Sequence, residues 1–171
     1  MTEQRPNVIL IGMPGSGKSS IGKSAARILG MDFVDTDDLI VEKAGKPISQ
    51  IFAEKGEAAF RDTESEVIKS LAALTGGKQA VISTGGGVVL REENVAELKA
   101  IGQIFLIHRS LEDIGGGNTY DGKRPLVSDM DSLKAIWTDR EKLYRAASDG
   151  VLLNEGPFNS VVSRLVRLVK E

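Results

Sequence analysis

Val8-Ile9-Leu10-Ile11-Gly12-Met13-Pro14-Gly15-Ser16-Gly17-Lys18-Ser19 is an apolar run of strand length that breaks into glycines and ends on a lysine and a hydroxyl residue. Glycines let the backbone turn so that several N–H groups converge on one concavity, and a following helix aims the positive end of its dipole at the same point. Two glycines, lysine and serine at this spacing predict a phosphate cradle for a nucleoside triphosphate. Lys18 would reach the β- and γ-phosphates and the Ser19 hydroxyl would ligate Mg²⁺. Gly12, Gly15, Ser16, Gly17 and Ser20 would complete the wall around the anion.

The motif requires a strand before it and a helix after it, and the neighbouring sequence complies. Ile21, Ala25, Ile28 and Leu29 form an apolar stripe at helical period, ended by Gly30. Strand-like apolar runs recur at 33–34, 80–82, 104–107 and 151–153. Between and after them lie three more stripes: Val67, Ile68, Leu71 and Leu74, stopped by Gly76-Gly77; Leu133, Ile136, Trp137, Leu143 and Tyr144; and Val161, Leu165, Leu168 and Val169. Five buried strands alternating with helices predict an α/β fold with a parallel sheet between helical layers. In such a sheet ligands gather at the carboxyl ends of the strands.

Composition narrows the class. With 171 residues and 41% hydrophobic content, the chain suffices for one core, so 1–171 is read as a single domain. Its 22 basic and 24 acidic residues exclude the strongly cationic surface of a nucleic-acid-coating protein. Cysteine is absent, which removes disulfides and thiolate metal sites. The polar start Met1-Thr2-Glu3-Gln4-Arg5-Pro6 has no signal-peptide pattern, and no apolar run approaches membrane-spanning length. The expectation is a cytoplasmic protein, monomeric, without nucleic-acid or membrane partners.

Several groups of residues follow the strands. Asp35-Thr36-Asp37-Asp38 ends the second strand and opens a helix. It reads either as an acidic helix N-terminus or as two carboxylates, Asp35 and Asp37, dividing the work near Mg²⁺ and at an acceptor hydroxyl. Gly56 to Arg61, with Glu64, lies at a helix start. Arg61 and Glu64 at i, i+3 are either a surface ion pair or a guanidinium held toward a substrate carboxylate. Thr84-Gly85-Gly86-Gly87 admits close approach of backbone to a ligand or a flexible connection. The glycine-rich stretch from Gly115 to Leu126 carries Lys123 and Arg124 and reads as a mobile lid, with an ordinary surface loop as the alternative. Arg140 lies near the apolar face of its helix, where a cation needs an anionic partner, whether a ligand or a structural salt bridge. His108 lacks a metal-ligand companion and is read as structural.

In this order, the motifs resemble shikimate kinases: GMPGSGKSSIGK from Gly12, DFVDTD from Asp32, IFAEKGEAAFRDTE from Ile51, GGG at Gly85, RPL at Arg124 and REKLY at Arg140. The resemblance spans nearly the whole chain. It implies a three-layer P-loop kinase fold with strand order 2-3-1-4-5, a substrate-binding segment over about 37–64 and a lid over about 115–127. It implies ATP as phosphoryl donor, Mg²⁺ as cofactor, shikimate as acceptor and shikimate 3-phosphate as product. Lys18, Asp37 and Arg124 would be catalytic, with Arg124 also touching the nucleotide. Asp35 would support the magnesium through water beside Ser19. Arg61 and Arg140 would clamp the carboxylate, Glu64 would orient Arg61, Phe60 would pack beside the ring, and Gly85, Gly86 and Gly87 would line it.

In two respects the chain departs from the pattern of shikimate kinases, one being that its expected lid carries Asp121 and Lys123 beside Arg124. The other is that Gly116 and Gly117 stand where the family often carries arginines that pack on adenine, which leaves the loop Asn154-Glu155-Gly156-Pro157 for the base. A gluconate-type sugar-acid kinase, a nucleoside-monophosphate kinase and a kinase-like binding module without turnover are the alternative readings.

Overall fold

The computed structural model describes residues 7–116 and 130–171. Five strands, β1 (Asn7–Ile11), β2 (Asp32–Asp35), β3 (Ala80–Ser83), β4 (Gly102–His108) and β5 (Gly150–Leu153), form one sheet in the order β2-β3-β1-β4-β5, and every pairing is parallel. The helices are α1 (Lys18–Leu29), α2 (Thr36–Ala44), α3 (Ile48–Thr75), α4 (Glu92–Ile101), α5 (Leu111–Gly116), α6 (Met130–Ala147) and α7 (Phe158–Lys170). A short 3₁₀ turn, Val88–Leu90, precedes α4.

Side chains alternate across each strand, so the two faces of the sheet build two cores. Ile9 and Ile11 of β1, Ile82 of β3 and Ile104 and Leu106 of β4 pack with Ile68, Leu71, Leu98, Leu133 and Tyr144 from α3, α4 and α6. Val8, Leu10, Val81, Phe105 and Ile107 point the other way, against Ile21, Ala25, Val161 and Leu165 of α1 and α7. β1 lies in the middle and is buried throughout. A third cluster, Ile40, Ile48, Ile51, Phe60 and Val67, joins α2 to α3 at the side of the sheet.

Three expectations need correction. The five strands are not all buried: β2 and β5 are the edges of the sheet, and most of their residues are half-buried or exposed. Ile28, Leu74 and Leu143 fit the helical periods yet are 60%, 54% and 38% exposed, because each lies beside the stripe that meets the sheet. The connection after β4 is not irregular from its start, since Gly115 and Gly116 belong to α5. The rest of the expected lid, with Gly117 and Arg124, lies outside the described residues.

Candidate active site

The phosphate loop joins β1 to α1, and Gly12, Gly15 and Gly17 all take positive φ (147°, 79° and 99°). A Cβ on Gly12 would stand 2.5 Å from the carbonyl oxygen of Ile107, so glycine is required there for space as well as for backbone angle. Lys18 is only 4% exposed and lies along the loop, where Nζ donates to the carbonyl oxygens of Gly12 and Met13, each at 2.8 Å. Ser16 is buried within the loop and Ser20 is exposed on the first turn of α1.

The second strand delivers a carboxylate to the same place. Ser19 Oγ donates to Asp35 Oδ2 at 2.8 Å and lies 3.2 Å from Ser83 Oγ at the end of β3. The other oxygen of Asp35 accepts from the backbone N–H of Asp37 at 2.9 Å and caps α2. The helix-cap reading of the acidic segment therefore holds for Asp35, and its second oxygen faces the Ser19 hydroxyl. The trio Ser19, Asp35 and Ser83 offers hard oxygen donors at the mouth of the loop. Among the described residues, no group of three or more His, Cys, Asp or Glu side chains could hold a metal ion. Magnesium retains most of its waters and takes few protein ligands, so one hydroxyl and one carboxylate suit it.

Beside this trio is a buried charge cluster. Helix α3 breaks at Gly56 (φ 83°, ψ 176°), which starts a new helical segment at Glu57, and the first turns of that segment bring Arg61 and Glu64 against the glycine triplet. Arg61 Nη1 donates to Glu64 Oε1 at 2.9 Å, and Nη2 is 3.5 Å from Glu57. Glu64 is 0% exposed, far from the surface ion pair that the spacing alone allowed. Burial pushes its carboxyl above the ordinary glutamate range, nearby Arg61 opposes this, Asp37 adds to it and Arg140 opposes it. Arg61 Nε and Glu64 Oε2 are buried and have no hydrogen-bond partner among the described residues.

The glycine triplet passes directly through the cluster. A Cβ on Gly85 would lie 2.9 Å from Glu64 Oε2 and 3.0 Å from Asp37 Oδ1, and one on Gly87 would fall on the guanidinium of Arg61. Tyr144 Oη donates to the carbonyl of Gly86, tying α6 to the triplet. Arg140, one turn earlier on α6, is 8% exposed, and its charge acts on Glu64. Phe60 is buried, packed against Phe52 with the rings tilted by 33° and their centroids 4.7 Å apart, and with the Arg61 guanidinium 5.0 Å over its ring.

Asp35, Asp37, Arg61, Glu64, Gly85, Gly86, Gly87 and Arg140 are thus brought to one side of the phosphate loop. His108 packs its ring on Trp137, with centroids 5.0 Å apart. Three residues that line the loop carry no motif: Ser83 at the end of β3, Arg109 directly after β4, and Asn154 directly after β5. Asn154 Nδ2 donates to the carbonyl of Ser16 at 2.8 Å, and Arg109 Nη1 donates to that of Gly15 at 3.1 Å. Their common signal is position at the carboxyl end of a strand.

A family model described as shikimate kinase matches residues 14–170. A shikimate kinase of Paracidovorax citrulli is 41% identical over 152 residues, covering 87% of this chain and 82% of that protein. A solved shikimate kinase from Acinetobacter baumannii in complex with shikimate superposes with a TM-score of 0.88 at 30% identity, covering 97% of this chain and 93% of the other. A gluconokinase from Sinorhizobium meliloti superposes with a TM-score of 0.61 at 14% identity over 98% of this chain and 93% of that one, a likeness of fold alone.

Proposed function

The chain belongs to the shikimate kinase family, and on that premise we propose that it transfers the γ-phosphoryl group of ATP to the 3-hydroxyl of shikimate, giving shikimate 3-phosphate and ADP. The observation that carries the reading is the buried cluster of Asp37, Arg61, Glu64 and Arg140 gathered on the glycine triplet beside the phosphate loop. A small hydroxylated ring acid needs cations for its carboxylate and an acceptor for its hydroxyl. This cluster supplies both within one enclosure.

Each residue has a defined task in this reading. Arg61 and Arg140 grip the substrate carboxylate, and Glu64 holds the guanidinium of Arg61 so that little rotamer freedom is lost on binding. Asp37 accepts the hydrogen bond of the 3-hydroxyl and fixes its oxygen in line with the γ-phosphorus. As the new O–P bond forms, the bond from that phosphorus to the β–γ bridging oxygen breaks, ADP leaves, and the hydroxyl proton passes to Asp37 or to water. Phosphoryl transfer has a loose transition state, so positioning outweighs base strength. Lys18 and the loop amides stabilise the charge spread over the phosphate oxygens. Magnesium, held by Ser19 and, through water, Asp35, would neutralise the β- and γ-phosphates. Arg124 is proposed as a further cation on the transferring group.

Product identification tests the reading. Incubation with Mg-ATP and shikimate should give ADP and a single shikimate monophosphate in equal amounts by phosphorus NMR. ADP with inorganic phosphate in place of the ester would make the chain a hydrolase instead.

A further inference from the structure

The strand order divides the carboxyl edge of the sheet about the phosphate loop. Asp35, Ser83 and the glycine triplet follow β2 and β3, on one side. A nucleotide whose γ-phosphate faces them must extend its remaining atoms to the other side, over β4 and β5. There Arg109 directly follows β4, and its half-buried guanidinium is fixed to the loop by the 3.1 Å hydrogen bond from Nη1 to the Gly15 carbonyl.

The surroundings leave that charge directed at the loop. Among the described residues, no carboxylate forms an ion pair with Arg109. Helix α5 has no basic residue in its last turn. A side chain at Gly115 would meet Met130 and Leu133, 3.1 and 3.3 Å from the position of a Cβ. The backbone carrying Arg109 is itself held, because Asn154 donates from its N–H to the His108 carbonyl at 2.8 Å and from its side chain to Ser16.

We propose that Arg109 is a nucleotide-binding residue of this enzyme, with one edge of its guanidinium fixed by Gly15 and the other presented to the α- and β-phosphate oxygens. A planar fork with five donors matches phosphate in this bidentate way. The assignment rests on the reading of the loop as an ATP site.

Calorimetric titration of Mg-ADP and of shikimate into the wild type, Arg109→Gln and Arg109→Lys tests it. Glutamine retains an N–H donor for the Gly15 carbonyl and removes the charge. Mg-ADP should bind Arg109→Gln about tenfold more weakly, the size of one lost charge-assisted contact, and Arg109→Lys should recover part of the loss. Shikimate affinity should be unchanged. Added KCl should weaken Mg-ADP binding less steeply in Arg109→Gln than in the wild type, because one interacting charge is gone. Wild-type affinity in Arg109→Gln, or identical salt dependence, would overturn the proposal and leave Arg109 a brace for Gly15. A wild type that binds shikimate but no Mg-ADP would overturn the nucleotide reading as well.

Discussion

Asp35 uses both oxygens of one carboxylate, capping α2 with Oδ1 and accepting from Ser19 with Oδ2. Its neighbour Asp37 is therefore the residue proposed to meet the acceptor hydroxyl. Asp37→Asn should lower kcat by about 10²- to 10³-fold, in the range of a lost proton acceptor, while Mg-ATP binding changes little; turnover near wild type in steady-state assays would remove Asp37 from the mechanism. Gly87→Ala places a methyl on the Arg61 guanidinium, the far end of a flexible side chain, so the fold should survive while Arg61 shifts. The KM for shikimate should rise about tenfold with that for Mg-ATP unchanged, and an equal rise in both would locate the damage in the loop. Glu64 gives a pH signature. Its carboxyl is pushed above the ordinary value of 4.5 by burial, so as pH climbs past 4.5 the unfolded chain releases its proton first. The stability that protonated Glu64 contributes is lost as pH rises through the folded value. Glu64→Gln does not titrate, so its melting temperature should gain on that of the wild type across this window while shikimate affinity falls. Parallel melting profiles would contradict the raised value. Arg61 and Glu64 were legible as a pair from their spacing, whereas their burial was not, because it is α2, α6 and the triplet that cover them.

Whole elements were legible wherever a periodic stripe met a glycine stop. Gly30 and Gly76 each end such a helix in the left-handed conformation. The edge character of β2 and β5 leaves no mark on a four-residue run, so the runs alone read as buried, although the order 2-3-1-4-5 implied by the resemblance already put both at the edges. The break at Gly56 was legible as a helix start, and the structure adds that an earlier helical segment from Ile48 runs directly into it. Ser83 and Arg109 escaped notice because each is a single residue with no motif around it, and Asn154 was singled out only as part of a loop for the base, not as a partner of the phosphate loop. Asn154 links β5 to the phosphate loop, and a Cβ on Gly17 would lie 2.8 Å from its amide nitrogen. Asn154→Ala should cost about 1 kcal/mol, a typical net hydrogen bond, and lower the melting temperature by about 2–4 °C for a domain of this size. An unchanged melting temperature would show that the contact contributes nothing to the fold.

At the scale of the molecule, the strand order places the phosphate loop after the central β1, the proposed acceptor cluster on the side of β2 and β3, and the proposed nucleotide side at β4 and β5. Among the described residues, no helix is long and apolar enough to cross a membrane. Ligands on separate sides of one loop should each stabilise the fold alone. Mg-ADP at a hundredfold excess over its Kd contributes about 2.7 kcal/mol, which should raise the melting temperature by about 5–10 °C. Lys18→Ala should abolish that shift and retain the shift caused by shikimate; loss of both would mean that Lys18 serves the fold. The most direct measurement is ADP formation from Mg-ATP with shikimate, with gluconate and with no acceptor, using Lys18→Ala as background. Strong stimulation by shikimate alone is the expected result, and stimulation by gluconate instead, or by neither acceptor with Mg-ATP bound, would contradict it.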